Sequence, residues 1–323
     1  MIHATPNTIH PSIFQKLVKE EIRHIKLEAD FDYLFQNKKQ NEERAGNLIL
    51  VHSDSTTEQF KIKIRPRGVF RRMYCDIPPL RLNFRNKELA KMELDSTFDK
   101  LKLVTHCVEN PNAEQVLLKE YWAYRLYNNI TPHSFKVHLI HITYINTKNK
   151  AEQSKHVAFL IENNQEMAAR IGGQLVEKYG LTPSKLEANS HQNSIVFNYM
   201  IVNLDWHIKR KRNIKFVQLP VDSGIVVVPY DFDMSALVFP SYARLNPDYK
   251  QKKFTDRYCV ERFTSANALM EIATKFNNLK TENLTAFKEC PYLNELSKNQ
   301  MHGYLKSFYK MLKKEKKCKR QFM

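Results

Sequence analysis

Glycine is what this chain most lacks, with 7 in 323 residues where ordinary proteins use about 7%. Phosphate cradles of the dinucleotide-binding and P-loop kinds depend on closely spaced glycines. Neither GxGxxG nor GxxxxGK[ST] occurs, which sets those classes aside. HExxH and paired CxxC are also missing, so no zinc-enzyme pattern is present among the 12 histidines. A GxSxG nucleophile elbow is absent as well. The five cysteines (Cys75, Cys107, Cys259, Cys290 and Cys318) are odd in number and widely spaced. They support neither a disulfide framework nor a metal cluster, and the expectation is reduced, half-buried thiols. No apolar run reaches the roughly 18 residues of a membrane-spanning helix. Met1 to Lys16 has no apolar core of a signal peptide, so the expected place is the cytoplasm unless a leader has been trimmed.

Positive charge, by contrast, is abundant. Fifty-one basic residues against 34 acidic ones leave a net charge of +17. That favours an anionic partner: a nucleic acid, a phosphorylated ligand, an acidic protein or a membrane surface. The charge is clustered at Lys61 to Arg67 with Arg71 and Arg72, at Lys209 to Arg212, and at Lys310 to Arg320. The last cluster has the composition of a solvated helix end or frayed tail. The chain also carries 19 Phe, 15 Tyr and 2 Trp, but Phe60, Phe84, Phe135 and Phe159 fall at core periodicities. Base-stacking platforms are therefore not indicated, and nucleic acid is a partner class not favoured.

Period-two alternation predicts strands over Asn47 to His52, Gln59 to Arg65, Leu80 to Phe84, Lys100 to Thr105, Phe135 to Ile145 and Val157 to Glu162. Ile22 to Phe35 alternates weakly and reads as a strand in preference to a helix, and Arg67 to Arg71 as a turn around Gly68. Helical spacing predicts one inserted helix, Asn112 to Asn129, with Glu120 at its middle. Beyond Glu162 the character becomes helical: Asn163 to Ile171, Thr182 to Leu204, Val260 to Phe276 and Tyr292 to Lys314. A hairpin of Ile214 to Val217 and Gly224 to Val228 interrupts them. The expected architecture is α+β, with a mainly antiparallel β region and one helix over residues 1–162 and a mainly helical region over 163–323.

Three short segments in the second half gather acids and an amide. They are Asn203-Leu204-Asp205-Trp206-His207, then Asn213-Ile214-Lys215-Phe216, then Val228-Pro229-Tyr230-Asp231-Phe232-Asp233. A helix ends near Asp205, and the hairpin brings Asn213 and Asp231 close because they flank its strands. Asp231 and Asp233 would share a face if extended, unless the chain turns there. A carboxylate, an amide and a second carboxylate in this order suit phosphoryl transfer, with Mg²⁺ or Mn²⁺ held by the later two groups. Taken singly, each residue reads better as a turn cap or a strand end; together and in this order they favour function. The neighbouring run Lys209 to Arg212 is either a selector of acidic or phosphorylated protein acceptors or a solvated loop.

These segments resemble the catalytic and metal-binding loops of the atypical kinases of the spore-coat CotH family, and more distantly those of HipA-like kinases. The shared patterns are Asn-x-Asp-x-His-x-x-Asn and Trp/Tyr-Asp-Phe/Tyr-Asp, here Asn203 to His207 and Tyr230 to Asp233. The resemblance covers about residues 58 to 240. It implies a two-lobed, protein-kinase-like fold and an ATP-dependent transferase, with Asp205 catalytic and Asn213, Asp231 and Asp233 as metal ligands. It further implies that Lys102 contacts the nucleotide phosphates with Glu120 as partner. Arg67 lies in the phosphate-covering Arg-Gly turn and Glu162 at the hinge. Lys100 and Arg81 compete with Lys102 for the phosphate role. In the family pattern the loop Asn follows the Asp by five residues, whereas here Arg210 holds that place and Asn213 comes eight after. A three-residue loop insertion and a nucleotide-binding pseudokinase both account for the shift.

Overall fold

Alternation of apolar and polar side chains builds the first part of the computed structural model, which describes residues 10–220 and 224–323. Seven strands, β1 (His24–Ala29), β2 (Arg44–Val51), β3 (Thr57–Pro66), β4 (Leu80–Phe84), β5 (Lys100–Val104), β6 (Val137–Asn146) and β7 (Gln153–Ile161), close into a barrel of order β1-β2-β3-β4-β5-β7-β6. All neighbours are antiparallel except β1 and β6, which run parallel and close the barrel. One side chain in two points inward, so Ile25, Leu27, Phe60, Ile62, Leu82, Leu101, Ile142 and Leu160 fill an apolar interior. The intervening residues face the other way. Arg65 is opposite Arg81 and Arg81 opposite Lys102, which lines three cations across adjacent strands.

Four helices belong to this part: α1 (Ile13–Lys19), α2 (Phe31–Gln36), α3 (Val69–Tyr74) and α4 (Asn86–Lys91). Three of them correct the sequence reading. Ile22 to Phe35 is a strand followed by α2, because Asp30 caps a helix start by accepting from the Tyr33 amide. Arg67 to Arg71 is not a turn alone. Gly68, at φ 79°, is the N-cap from which α3 begins. α4 follows the fourth strand where no helix was expected. The stretch Met1 to Lys16 lies partly outside the described residues, and its described end enters α1 through a Ser12/Gln15 capping box.

The remaining elements are α5 (Ala113–Ile130), α6 (Asn164–Arg170), β8 (Gln174–Val176), α7 (Ala188–Ile201), β9 (Ile214–Gln218), β10 (Ile225–Pro229), α8 (Ala266–Asn278), α9 (Lys280–Thr285), α10 (Glu295–Leu312) and α11 (Glu315–Phe322). The expected hairpin is a three-stranded sheet of order β10-β9-β8, since Gln174–Val176 adds an edge to β9. Helix α7 begins later than predicted, at Ala188, where the Glu187 side chain accepts from the Asn189 and Ser190 amides. Likewise α8 begins at Ala266 and not at Val260, with Ser265 as its cap. Contacts group the chain into two units, Met1–Glu114 with Val137–Glu166, and Gln115–Lys136 with Met167–Met323. Nearly all of α5 therefore belongs with the later helices, not with the sheet that precedes it in sequence. No described helix is long and apolar enough to cross a membrane.

Two cysteines depart from the reduced state expected of them. Cys75 and Cys107 form a disulfide, while Cys259, Cys290 and Cys318 are free and buried. Their separation of 32 residues gives no hint of contact. Proximity comes from topology, because the end of α3 meets the segment after β5, where the Ile77 amide donates to the Cys107 carbonyl at 3.3 Å. Reduction should lower stability by about 2–4 kcal/mol, measured as the urea midpoint with and without dithiothreitol. An unchanged midpoint in reductant and in Cys107→Ser would show that the pair does not bridge in solution.

Candidate functional site

The site in the second unit begins where α7 stops. Val202 takes a left-handed conformation at φ 51°, its amide returning to the Asn198 and Tyr199 carbonyls. Asn203 is fully buried and works in both directions. Its Nδ2 donates to Asn198 Oδ1 at 3.0 Å, and its Oδ1 accepts the Asp205 amide at 3.0 Å. The first Asn of the motif is thus a clamp on the turn that presents Asp205. Leu204, Trp206 and Ile208 are buried on either side, so the chain is anchored before and after the acid.

The next segment folds the eight-residue interval from Asp205 to Asn213 into a narrow turn. His207 and Arg212 exchange two backbone hydrogen bonds, both 3.0 Å, and the Lys211 amide donates to the Ile208 carbonyl. Residues Ile208 to Lys211 are the tip of this narrow turn. Asn213, at φ 50°, then folds back. Its Nδ2 donates to the Asp205 carbonyl at 2.6 Å and to Asp205 Oδ2 at 2.9 Å. Despite its place eight residues on, the amide reaches the carboxylate.

Asp231 arrives from the hairpin. Pro229 pairs with Ile214, and the Tyr230 amide donates to the Asn213 carbonyl at 3.0 Å. Asp231 is left-handed at φ 63°, and its amide donates to the Tyr124 hydroxyl at 2.8 Å. Asp is one of the few side chains that visits this region with ease. The chain therefore turns at Asp231, and the shared-face argument for Asp231 and Asp233 does not hold. Phe232 is fully buried, with ring centroids 4.8 Å from Tyr124 and 5.2 Å from Phe197. Asp233 is buried, its Oδ2 accepting from the Tyr242 hydroxyl at 2.9 Å.

Electrostatics ties these acids together. Burial raises the Asp205 carboxyl to about 6, and the negative charges of Asp231 and Asp233 push the same way. Arg212 and the Asn213 hydrogen bond oppose them. The Arg212 Nη1 lies 3.4 Å from Asp205 Oδ1, with both side chains about 40% exposed (40% and 39%). Three of the four cations of Lys209 to Arg212 have acidic partners: Arg210 with Asp248 at 3.1 Å, Lys211 with Glu177, and Arg212 with Asp205. This loop is neutralised by the fold's own acids, which weakens the case for it as a selector of acidic acceptors.

An all-oxygen set of Asn213, Asp231 and Asp233 beside Asp205 has the donor chemistry of a hard divalent cation such as Mg²⁺ or Mn²⁺. A carboxyl raised by the negative charges of two neighbouring acids is the condition such an ion relieves. Among the described residues, the ligand atoms of Glu20, His52 and Glu58 lie within 4.8 Å of one another. There the Lys16 ammonium already lies 2.9 Å from both glutamates.

The other sequence candidates divide between the units. Lys102, Arg67 and Glu162 belong to the first, and Glu120 to the second. Lys102 is buried in β5 and bonds the Asn164 side chain. Burial, and then the nearby charges of Arg65 and Arg67, lower the Arg81 pKa. The Arg67 amide donates to the Pro79 carbonyl at 2.7 Å, holding the approach to Gly68. Glu162, immediately after β7, and Glu120, within α5, are both buried, so Glu120 is not a solvent-facing helix former. Sequence reasoning missed Arg65, Asn203 as a clamp, Arg212 as the neighbour of Asp205, and the hydroxyls of Tyr124 and Tyr242. Asn203 carried a signal as the first letter of the motif, and Arg65 and Arg212 as members of basic clusters, whereas the two hydroxyls carried none.

The sequence matches no family model and none of the curated proteins. Among solved structures the chain is similar to the Helicobacter pylori proinflammatory kinase CtkA, at a TM-score of 0.43 and 12% identity over 76% of this chain and 91% of that one.

Proposed function

We propose that the chain is an ATP-dependent phosphotransferase of two-lobed, kinase-like architecture. What carries the reading is the contact of the Asn213 amide with the Asp205 carboxylate, beside two further acids that raise the same carboxyl. In this reading Asp205 orients the acceptor hydroxyl and takes its proton. Asn213, Asp231 and Asp233 hold Mg²⁺ or Mn²⁺, which when bound would neutralise the nucleotide phosphates. Lys102, with Arg81 and Arg65 in the row across the barrel, is the first unit's candidate for phosphate contact.

The Arg212 guanidinium on Asp205 favours one second reading, nucleotide binding without turnover. Calorimetry with Mg·ATP tests the proposal. The wild type should bind only with the metal present, and Asp231→Ala should bind at least about tenfold more weakly, since even outer-shell partners of a metal are worth that much. No binding in either protein would sink both readings. Binding without phosphate transfer to any test protein would leave the second.

A further inference from the structure

The C-terminal basic cluster has a structure that a frayed tail lacks. Helix α11 is pinned by its apolar side: Cys318 and Phe322 are fully buried, and the Phe322 ring lies 4.5 Å from Tyr199 and 6.1 Å from Phe263. The Phe263 amide closes the attachment by donating to the Phe322 carbonyl at 2.8 Å. With that side docked, the 100° spacing of a helix turns Lys316, Lys317 and Arg320 away from the fold. These three are exposed, as are Lys306 and Lys310 near the end of α10 and Lys313 and Lys314 in the connection. The single acid in this stretch, Glu315, is taken by Lys319 at 2.6 Å.

From this we infer that α11 and the end of α10 form a fixed platform for the phosphate backbone of a nucleic-acid duplex, bound without regard to sequence. The composition selects this partner. Protein interfaces are poor in lysine and rely on aromatic or arginine anchors, whereas this surface is almost wholly lysine. Insertion into a membrane needs an apolar helix face, and the apolar face of α11 is already packed inside the fold. Single strands call for exposed aromatic rings to stack on, and none lies among residues 313–323, where Phe322 is buried. What remains is a row of point charges on a helix rising about 1.5 Å per residue, suited to successive phosphates. The inference is independent of the phosphotransferase reading.

The test is fluorescence anisotropy of a random duplex of about 30 base pairs, titrated with the full chain at several salt concentrations between about 50 and 200 mM. The variant replaces Lys313, Lys316, Lys317 and Arg320 with Ala. A control of equal charge change replaces the scattered, exposed Lys19, Lys87, Lys150 and Lys185 with Ala. All eight positions are on the surface, and matching circular dichroism melts would establish that both variants fold. The platform variant should bind at least tenfold more weakly, and its slope of log affinity against log salt should be shallower by about 3. The control should stay close to wild type. Equal weakening in both variants would mean diffuse net charge and would overturn the proposal. So would unchanged binding in the platform variant, or binding to phosphatidylserine vesicles but not to the duplex.

Discussion

Asp205→Asn should fold normally, bind Mg·ATP within a few-fold of wild type, and transfer phosphate about 10²–10⁴-fold more slowly, the usual worth of a positioned general base. The substitution keeps the shape of the side chain and an oxygen for the Asn213 amide to donate to. It removes the charge that would attract the acceptor proton. It also removes a negative charge from a cluster in which Asp231 and Asp233 already repel it, so stability need not suffer. The measurement is phosphate transfer to a generic protein substrate and to the chain itself, alongside calorimetry on the same samples. Unchanged transfer would dismiss Asp205 as the catalytic group. Joint loss of binding and transfer would assign it a structural role, as the anchor for Asn213.

Phe232→Ala should destabilise the protein by about 3–5 kcal/mol, a large part of the total stability of about 5–15 kcal/mol for a domain. Phe232 stands between two acids in the sequence, and its ring is fully buried against Tyr124, Tyr127 and Phe197. Its carbonyl also accepts the Ser235 amide at 3.1 Å, so the backbone carrying Asp233 turns on the same residue. Tyr124 links ring and acid directly, since its hydroxyl takes the Asp231 amide. Urea unfolding should therefore show an earlier midpoint, and Mg·ATP affinity should fall in parallel. A stability loss below about 1 kcal/mol would mean that the cluster repacks around the vacancy and does not fix the acids.

Much of this was legible in local pattern. Phe60, Ile62 and Ile64 announce β3 by alternation, and the run Ile195 to Val202 announces a buried helix. Asp205, Asn213 and Asp231 were singled out because each follows or opens an element whose end was visible. What stayed hidden depends on partners far along the chain. The parallel pairing of Ile25 with Ile142 closes the barrel across more than a hundred residues. Nothing in Asn112 to Asn129 says that this helix belongs with α7 and not with the strands before it. Cys75 and Cys107 likewise meet only because of where α3 ends. The turn at Asp231 was hidden for a different reason. Alternation describes extended backbone, and one left-handed residue ends its jurisdiction.

The pairing of His207 with Arg212 has a bearing on how such proteins are recognised. A pattern written along the chain counts residues, and by that count Asn213 stands out of place. The hairpin closes its own neck, so the distance from amide to carboxylate does not register how many residues form the tip. The neck holds Asn213 against Asp205 whatever the length of the tip beyond it. Chains that use this arrangement will then be overlooked by fixed intervals and found by a template of two oxygens and a nitrogen in space.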